Sequence, residues 1–168
     1  MKKITKTRLK NIALYYLQRY EASTKSLSDV LKRRVDKYAF ENKDWQEKND
    51  AYKWILEVVE ELEGYKYVDD DRFAKIKVES YLRAGKSLRY IKEKLSLKGI
   101  KEDVINQLAE ELEYSAYDNA LKIAQKKKLG TYKENYTQET LQKDFAKMMR
   151  YGFDYETIKN VFKNIEEF

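Results

Sequence analysis

The stretch "GYKYVDDDRFAKIKVESYLRAGKSLRYIKEKLSLKGI", residues 64–100, decides how the chain reads. Three consecutive carboxylates, Asp69, Asp70 and Asp71, stand after one aromatic cluster and ahead of a long basic segment. As a metal or acid–base centre they make the chain an enzyme. As the start of a helix they make it a scaffold for the cations that follow. A Mg2+ site needs carboxylates converging from separate positions, or a bound phosphate. Adjacent residues at a helix start point in different directions. Capping is therefore the more economical reading: one Asp accepts from the free N–H groups of the first turn, and its neighbours sit at the positive end of the helix dipole. Phe73 and Ala74 then begin a buried face.

Helical periodicity extends outward from this stretch. Trp54, Ile55, Val58, Val59 and Leu62 share one face, and Val104, Ile105, Leu108, Ala109 and Leu112 repeat the spacing fifty positions later. Ile158, Val161, Phe162 and Ile165 form a third stripe. The earlier helices repeat too. Ser23, Leu27 and Leu31 match Ser87, Ile91 and Leu95, a serine N-cap ahead of an apolar run. Thr140, with Leu141, Phe145 and Met148, takes that place in a third copy. Gly99-Ile100 and Gly152-Phe153 follow the second helix of copies two and three, where glycine ends a helix in the left-handed conformation. The first copy has Arg34-Val35 there, which predicts a different turn.

The pattern predicts an all-α fold of three tandem three-helix repeats, at residues 8–64, 69–114 and 116–168, packed into an elongated, curved rod. The first repeat carries an insertion near residues 38–50. The third has a long polar connection, "LGTYKENYTQ".

Composition agrees with helix and removes much chemistry. The 168 residues include no Pro, Cys or His. Disulfides, thiolates and the commonest general base and metal ligand are thereby excluded. No Gly-rich phosphate loop exists, because the five Gly are scattered. No cofactor and no catalytic residue is expected. No apolar run approaches a membrane span, and the basic N-terminus leads into an amphipathic pattern; a soluble, cytoplasmic monomer is expected. Clustered tyrosines such as Tyr15, Tyr16 and Tyr20 read as the edges of small cores, with a contact surface as the alternative.

Charge is segregated. Lys and Arg number 35 against 29 Asp and Glu, but residues 75–101 carry a net +7 and residues 102–120 a net −6. Solvated helix faces account for such blocks as readily as a charged partner does. On the functional reading the candidate surface is Arg83, Lys86, Arg89, Lys92 and Lys94, with Lys126, Lys127, Lys128, Lys147 and Arg150. Cations at this density suit nucleic-acid phosphate or an acidic protein surface.

Residues 64–100 closely resemble the central signature of the RecX family, bacterial regulators of the RecA recombinase. The matching residues are Asp69, Asp70, Asp71, Arg72, Phe73 and Ala74, then Gly85, Ser87, Ile91, Leu95, Lys98, Gly99 and Ile100. "ALYYLQRYEASTKSLSDVLKRR" resembles the first family repeat and "RYGFDYETIKNVF" the close of the third. Two departures stand out: two residues separate Tyr65 from Val68, where the family has fewer, and the first repeat lacks its glycine. The resemblance implies three three-helix repeats and no catalytic activity. It also implies binding in the groove of the RecA–DNA filament, where a member restrains ATP hydrolysis, strand exchange and filament growth and so modulates recombination, repair and the SOS response. Basic patches would help through nearby DNA. The alternative is a stand-alone helix-turn-helix-like DNA-binding protein; its recognition helix would be acidic in repeats one and two, which phosphate repels.

Overall fold

The computed structural model describes residues 3–43 and 46–162, with the backbone alone for Gln46. Asp44, Trp45 and Ile165 lie outside them. Among the described residues there are nine α-helices and one short 3-10 turn. They are α1 (Lys6–Leu17), α2 (Thr24–Asn42), α3 (Gln46–Gly64), α4 (Asp70–Arg83), α5 (Leu88–Leu97), α6 (Glu102–Glu110), α7 (Ala116–Lys127), α8 (Gln138–Arg150) and α9 (Tyr155–Phe162), with the 3-10 turn at Gly130–Tyr132. None is long and apolar enough to cross a membrane. The chain divides into two compact units: residues 1–74 with 98–100, and residues 75–97 with 101–168.

In the first unit, α1, α2 and α3 enclose a core. Leu9 and Ala13 meet Leu27, Leu31 and Val35 from α2 and Ile55, Val58 and Leu62 from α3. The stripe read from the sequence on α3 is the buried one, with Trp54 packed at its margin. Lys6 and Lys10 reach Glu57 and Glu61 at 2.5 and 2.6 Å, tying α1 to α3. Exposed pairs of this kind contribute at most about 1 kcal/mol each, so burial dominates. No turn interrupts Arg34-Val35: Val35 is buried inside α2, which continues to Asn42 and ends on Lys43 in the left-handed conformation. Part of the insertion near residues 38–50 is thus added helix, a continuation that the missing glycine permits.

The aspartate run sits at the start of α4, and its members differ. Asp69 Oδ1 accepts the Arg72 N–H at 3.1 Å, and that bond holds the Asp69 carboxyl below its usual range. Asp70 turns to α2 instead: its carboxylate accepts the Thr24 N–H at 2.7 Å and the Thr24 hydroxyl at 2.9 Å. Asp71 is exposed. Arg72 staples the preceding turn, donating to the carbonyls of Lys66 and Tyr67 and to Glu21 at 2.9 Å. Lys66, at φ 60°, is held there against its own preference.

In the second unit, α7, α8 and α9 pack around Ile123, Leu129, Met148, Ile158, Val161 and Phe162. Asp144, buried on α8, accepts the Gly130 N–H at 2.9 Å and pairs with Lys133 at 2.5 Å. Ser87 caps α5 by accepting the Tyr90 N–H. The cap of α8 is Thr137, not Thr140. The helix starts three residues earlier than the serine alignment indicates, and Thr140 closes a reciprocal capping box by accepting the Thr137 N–H at 2.8 Å. Gly99 and Gly152 are left-handed, at φ 80° and 91°.

Candidate partner-binding surface

All ten cations named from the sequence fall in the second unit, and the fold sorts them. Arg83 closes α4, Lys86 lies in the α4–α5 turn, and Arg89, Lys92 and Lys94 lie on α5. Lys126 and Lys127 end α7, Lys128 is its C-cap, and Lys147 and Arg150 end α8. Basic side chains in a last helical turn complement the dipole, which is reason enough for some of them.

Two tyrosine rings and the depression between them gather five of the ten. Lys86 lies 4.8 Å from the Tyr90 ring centroid and Lys94 lies 5.2 Å from it. Lys86 and Lys127 approach the Tyr151 ring at 5.9 and 5.8 Å. Between these rings is an open depression of about 330 Å3 lined by Arg89, Tyr90, Glu93, Met149, Arg150, Tyr151 and Gly152. Among the described residues, none of Lys86, Arg89, Lys94, Lys127 and Arg150 forms an ion pair with a carboxylate. Ring faces attract these ammonium groups without neutralising them, so the basin keeps its charge for a ligand. Tyr90 is itself braced edge-on by Tyr81, at 5.5 Å between centroids, and burial raises the Tyr81 phenol above its ordinary value.

The other five stand apart. Arg83 approaches Glu79 at 3.9 Å, and Lys92 donates to Asn106 Oδ1 at 3.1 Å. Lys126 and Lys147 make no ring contact with the basin tyrosines. Lys128 is left-handed at φ 49°, where glycine fits better. Lys128→Gly is expected to stabilise the fold by about 0.5–1 kcal/mol, read from denaturant unfolding, with partner binding unchanged.

Met149 is shared with a second, apolar depression of about 490 Å3, lined also by Gln142, Phe145, Ala146 and Tyr155. A charged basin thus runs into an apolar one along α8. Sequence reasoning missed Tyr90 and Tyr151. The spacing Lys86–Tyr90–Lys94, four and four, was a signal for the first; nothing local announces Tyr151.

The fold and this surface define an all-helical protein whose conspicuous chemistry is a cationic, aromatic docking face. Residues 69–108 match the family model described as RecX, second three-helix domain. The regulatory protein RecX of Myxococcus xanthus is 33% identical over 165 residues, covering 95% of this chain and 87% of that protein. RecX of Acinetobacter baylyi is 29% identical over 162 residues, covering 96% and 90%. The crystal structure of RecX from Lactobacillus salivarius superposes with a TM-score of 0.60 at 20% identity, covering 93% of each chain. A second crystal structure of a regulatory protein RecX gives 0.65 at 19% identity, over 93% of this chain and 70% of that one. The chain belongs to the RecX family of regulatory proteins.

Proposed function

We propose that this protein is a regulator, chiefly an inhibitor, of the RecA recombinase. It binds as a monomer in the groove of the cytoplasmic RecA–DNA filament and restrains ATP hydrolysis, strand exchange and filament growth, thereby modulating repair and recombination. It performs no catalysis of its own. The three repeats read from the sequence, at residues 8–64, 69–114 and 116–168, are the units that span neighbouring recombinase subunits. The observation that carries this reading, beyond family membership, is the pairing of a predominantly cationic basin with an apolar depression through Met149. An apolar anchor beside a charged rim is the anatomy of a protein-binding surface. Bare duplex DNA would leave the apolar half unused, and the acidic α6 beside α5 opposes groove insertion.

Titrating the protein into the DNA-dependent ATPase reaction of the cognate RecA is expected to lower the rate in a saturable manner. Unchanged ATPase, filament length and strand exchange at saturating protein would rule this function out. Tight duplex binding without recombinase, with a steep salt dependence, favours the stand-alone DNA-binding reading instead.

A further inference from the structure

We propose that Ser87 and Gly152 are positioning residues for the cationic basin: they fasten the Tyr151 turn to the start of α5, and the basin is a polyanion site only while that joint is closed. This rests on the basin being the partner surface.

The Ser87 side chain is buried and used twice. Its oxygen accepts the Tyr90 N–H at 3.1 Å and its hydroxyl donates to the Tyr151 carbonyl at 2.6 Å. The two residues it grips are the two aromatic residues of the basin. Gly152 makes the approach possible. At φ 91°, a Cβ there would fall 2.5 Å from Ser87 Oγ and 3.3 Å from Arg89 Cβ. At this joint α5, carrying Arg89 and Lys94, meets the end of α8, carrying Arg150. The Tyr151 ring then faces Lys127 from α7.

The same joint occurs in the first unit. Ser23 accepts the Ser26 N–H at 3.1 Å and donates to the Lys98 carbonyl at 2.7 Å. Gly99 follows that carbonyl, and a Cβ on it would lie 2.7 Å from Lys25 Cβ. Lys25 stands two residues after its serine, as Arg89 does after Ser87. The two joints differ in charge. At the first, the N–H of Thr24, which opens α2, is taken by the Asp70 carboxylate. At the second, the backbone of the corresponding residue, Leu88, lies beside the Tyr114 phenol, whose pKa is raised chiefly by burial. A carboxylate therefore sits at the first joint and a neutral phenol at the second, and the cations around the second form no ion pair among the described residues.

The test compares Ser87→Ala with Ser23→Ala in the full chain. Both lose one buried serine–carbonyl bond and one cap, and both should melt at similarly lowered temperatures. The probe is a heparin oligosaccharide of fixed length, titrated at several salt concentrations below the melting range. Ser87→Ala is expected to bind about fivefold more weakly and with a shallower slope of log affinity against log salt, because fewer cations converge. Ser23→Ala should keep the parent affinity and slope. Equal effects of the two variants overturn the proposal. So does a Ser87→Ala loss with the parent slope, which marks only a smaller folded fraction, and so does parent binding that Arg89→Glu leaves unchanged. A heparin difference without any RecA effect refutes the functional reading alone; RecA inhibition with no difference between the serine variants refutes the joint alone.

Discussion

Replacing Arg89, Lys127 and Arg150 together by Glu is expected to lower affinity for the RecA filament about a hundredfold at low salt. These three come from α5, α7 and α8, so no single helix surface is being tested. Each exposed cation contributes up to about 1 kcal/mol against an acidic partner, and three such losses sum to two decades in affinity. Raising the ionic strength from 0.05 to 0.3 M, conditions chosen to shorten the Debye length, should shrink the difference. Two companion variants fix the interpretation. Among the described residues Glu93 is the one carboxylate lining the basin, so Glu93→Gln should bind a few-fold more tightly. Arg83→Glu should change little, because Arg83 stands outside the basin and faces Glu79. The triple variant places two acids in the last turns of α7 and α8, against the helix dipoles, so circular dichroism must show that it remains folded. If the triple variant inhibits the recombinase as the parent does, the contact surface lies elsewhere.

The helices were legible because each has a stripe of apolar residues at helical spacing and several open on a serine, threonine or aspartate. Ser23 and Ser87 could be named as caps, and one member of the aspartate run expected as another, from local pattern alone, since the bond each makes lies three residues away. Thr140 was misplaced for the same local reason: two threonines stand three apart, and pattern alone does not say which is outside the helix. What the sequence hid is long-range. Asp70 looked like a contributor to a local dipole, yet its carboxylate serves α2, forty-six residues away. Ser87 looked like a cap and is also a clasp on Tyr151, sixty-four residues away. The candidate surface was half legible. The charge blocks pointed to α5 and to the ends of α7 and α8, but which cations converge depends on how α5 meets α8. That meeting is made by a serine hydroxyl and a glycine, with no charge in it.

The largest expected effect on stability belongs to Gly130→Ala. Gly130 follows α7 at φ 60°, a conformation that costs an alanine about 1 kcal/mol. Space is the larger obstacle. An added Cβ would lie 2.6 Å from Cγ and Cδ1 of Phe162, a ring with no solvent exposure at the centre of the α7–α9 core. That ring is wedged edge-on against Phe145, at 6.4 Å between centroids, so it cannot swing aside without opening the core. The Gly130 N–H is also held by buried Asp144, which limits how far the backbone can retreat. Overpacking of this kind adds 1–3 kcal/mol, for a total of roughly 3 kcal/mol and a fall in Tm of about 6–12 °C. Gly64→Ala is the matched contrast. Gly64 ends α3 with nothing within 4 Å of an added Cβ, so alanine there should be neutral or slightly stabilising. Calorimetric unfolding of both variants decides the matter. A Gly130→Ala protein that melts with the parent would mean that Phe162 does not fill this core as described. Because α7 and α8 both end at the basin, loosening this core should also weaken partner binding, while Gly64→Ala should leave binding intact.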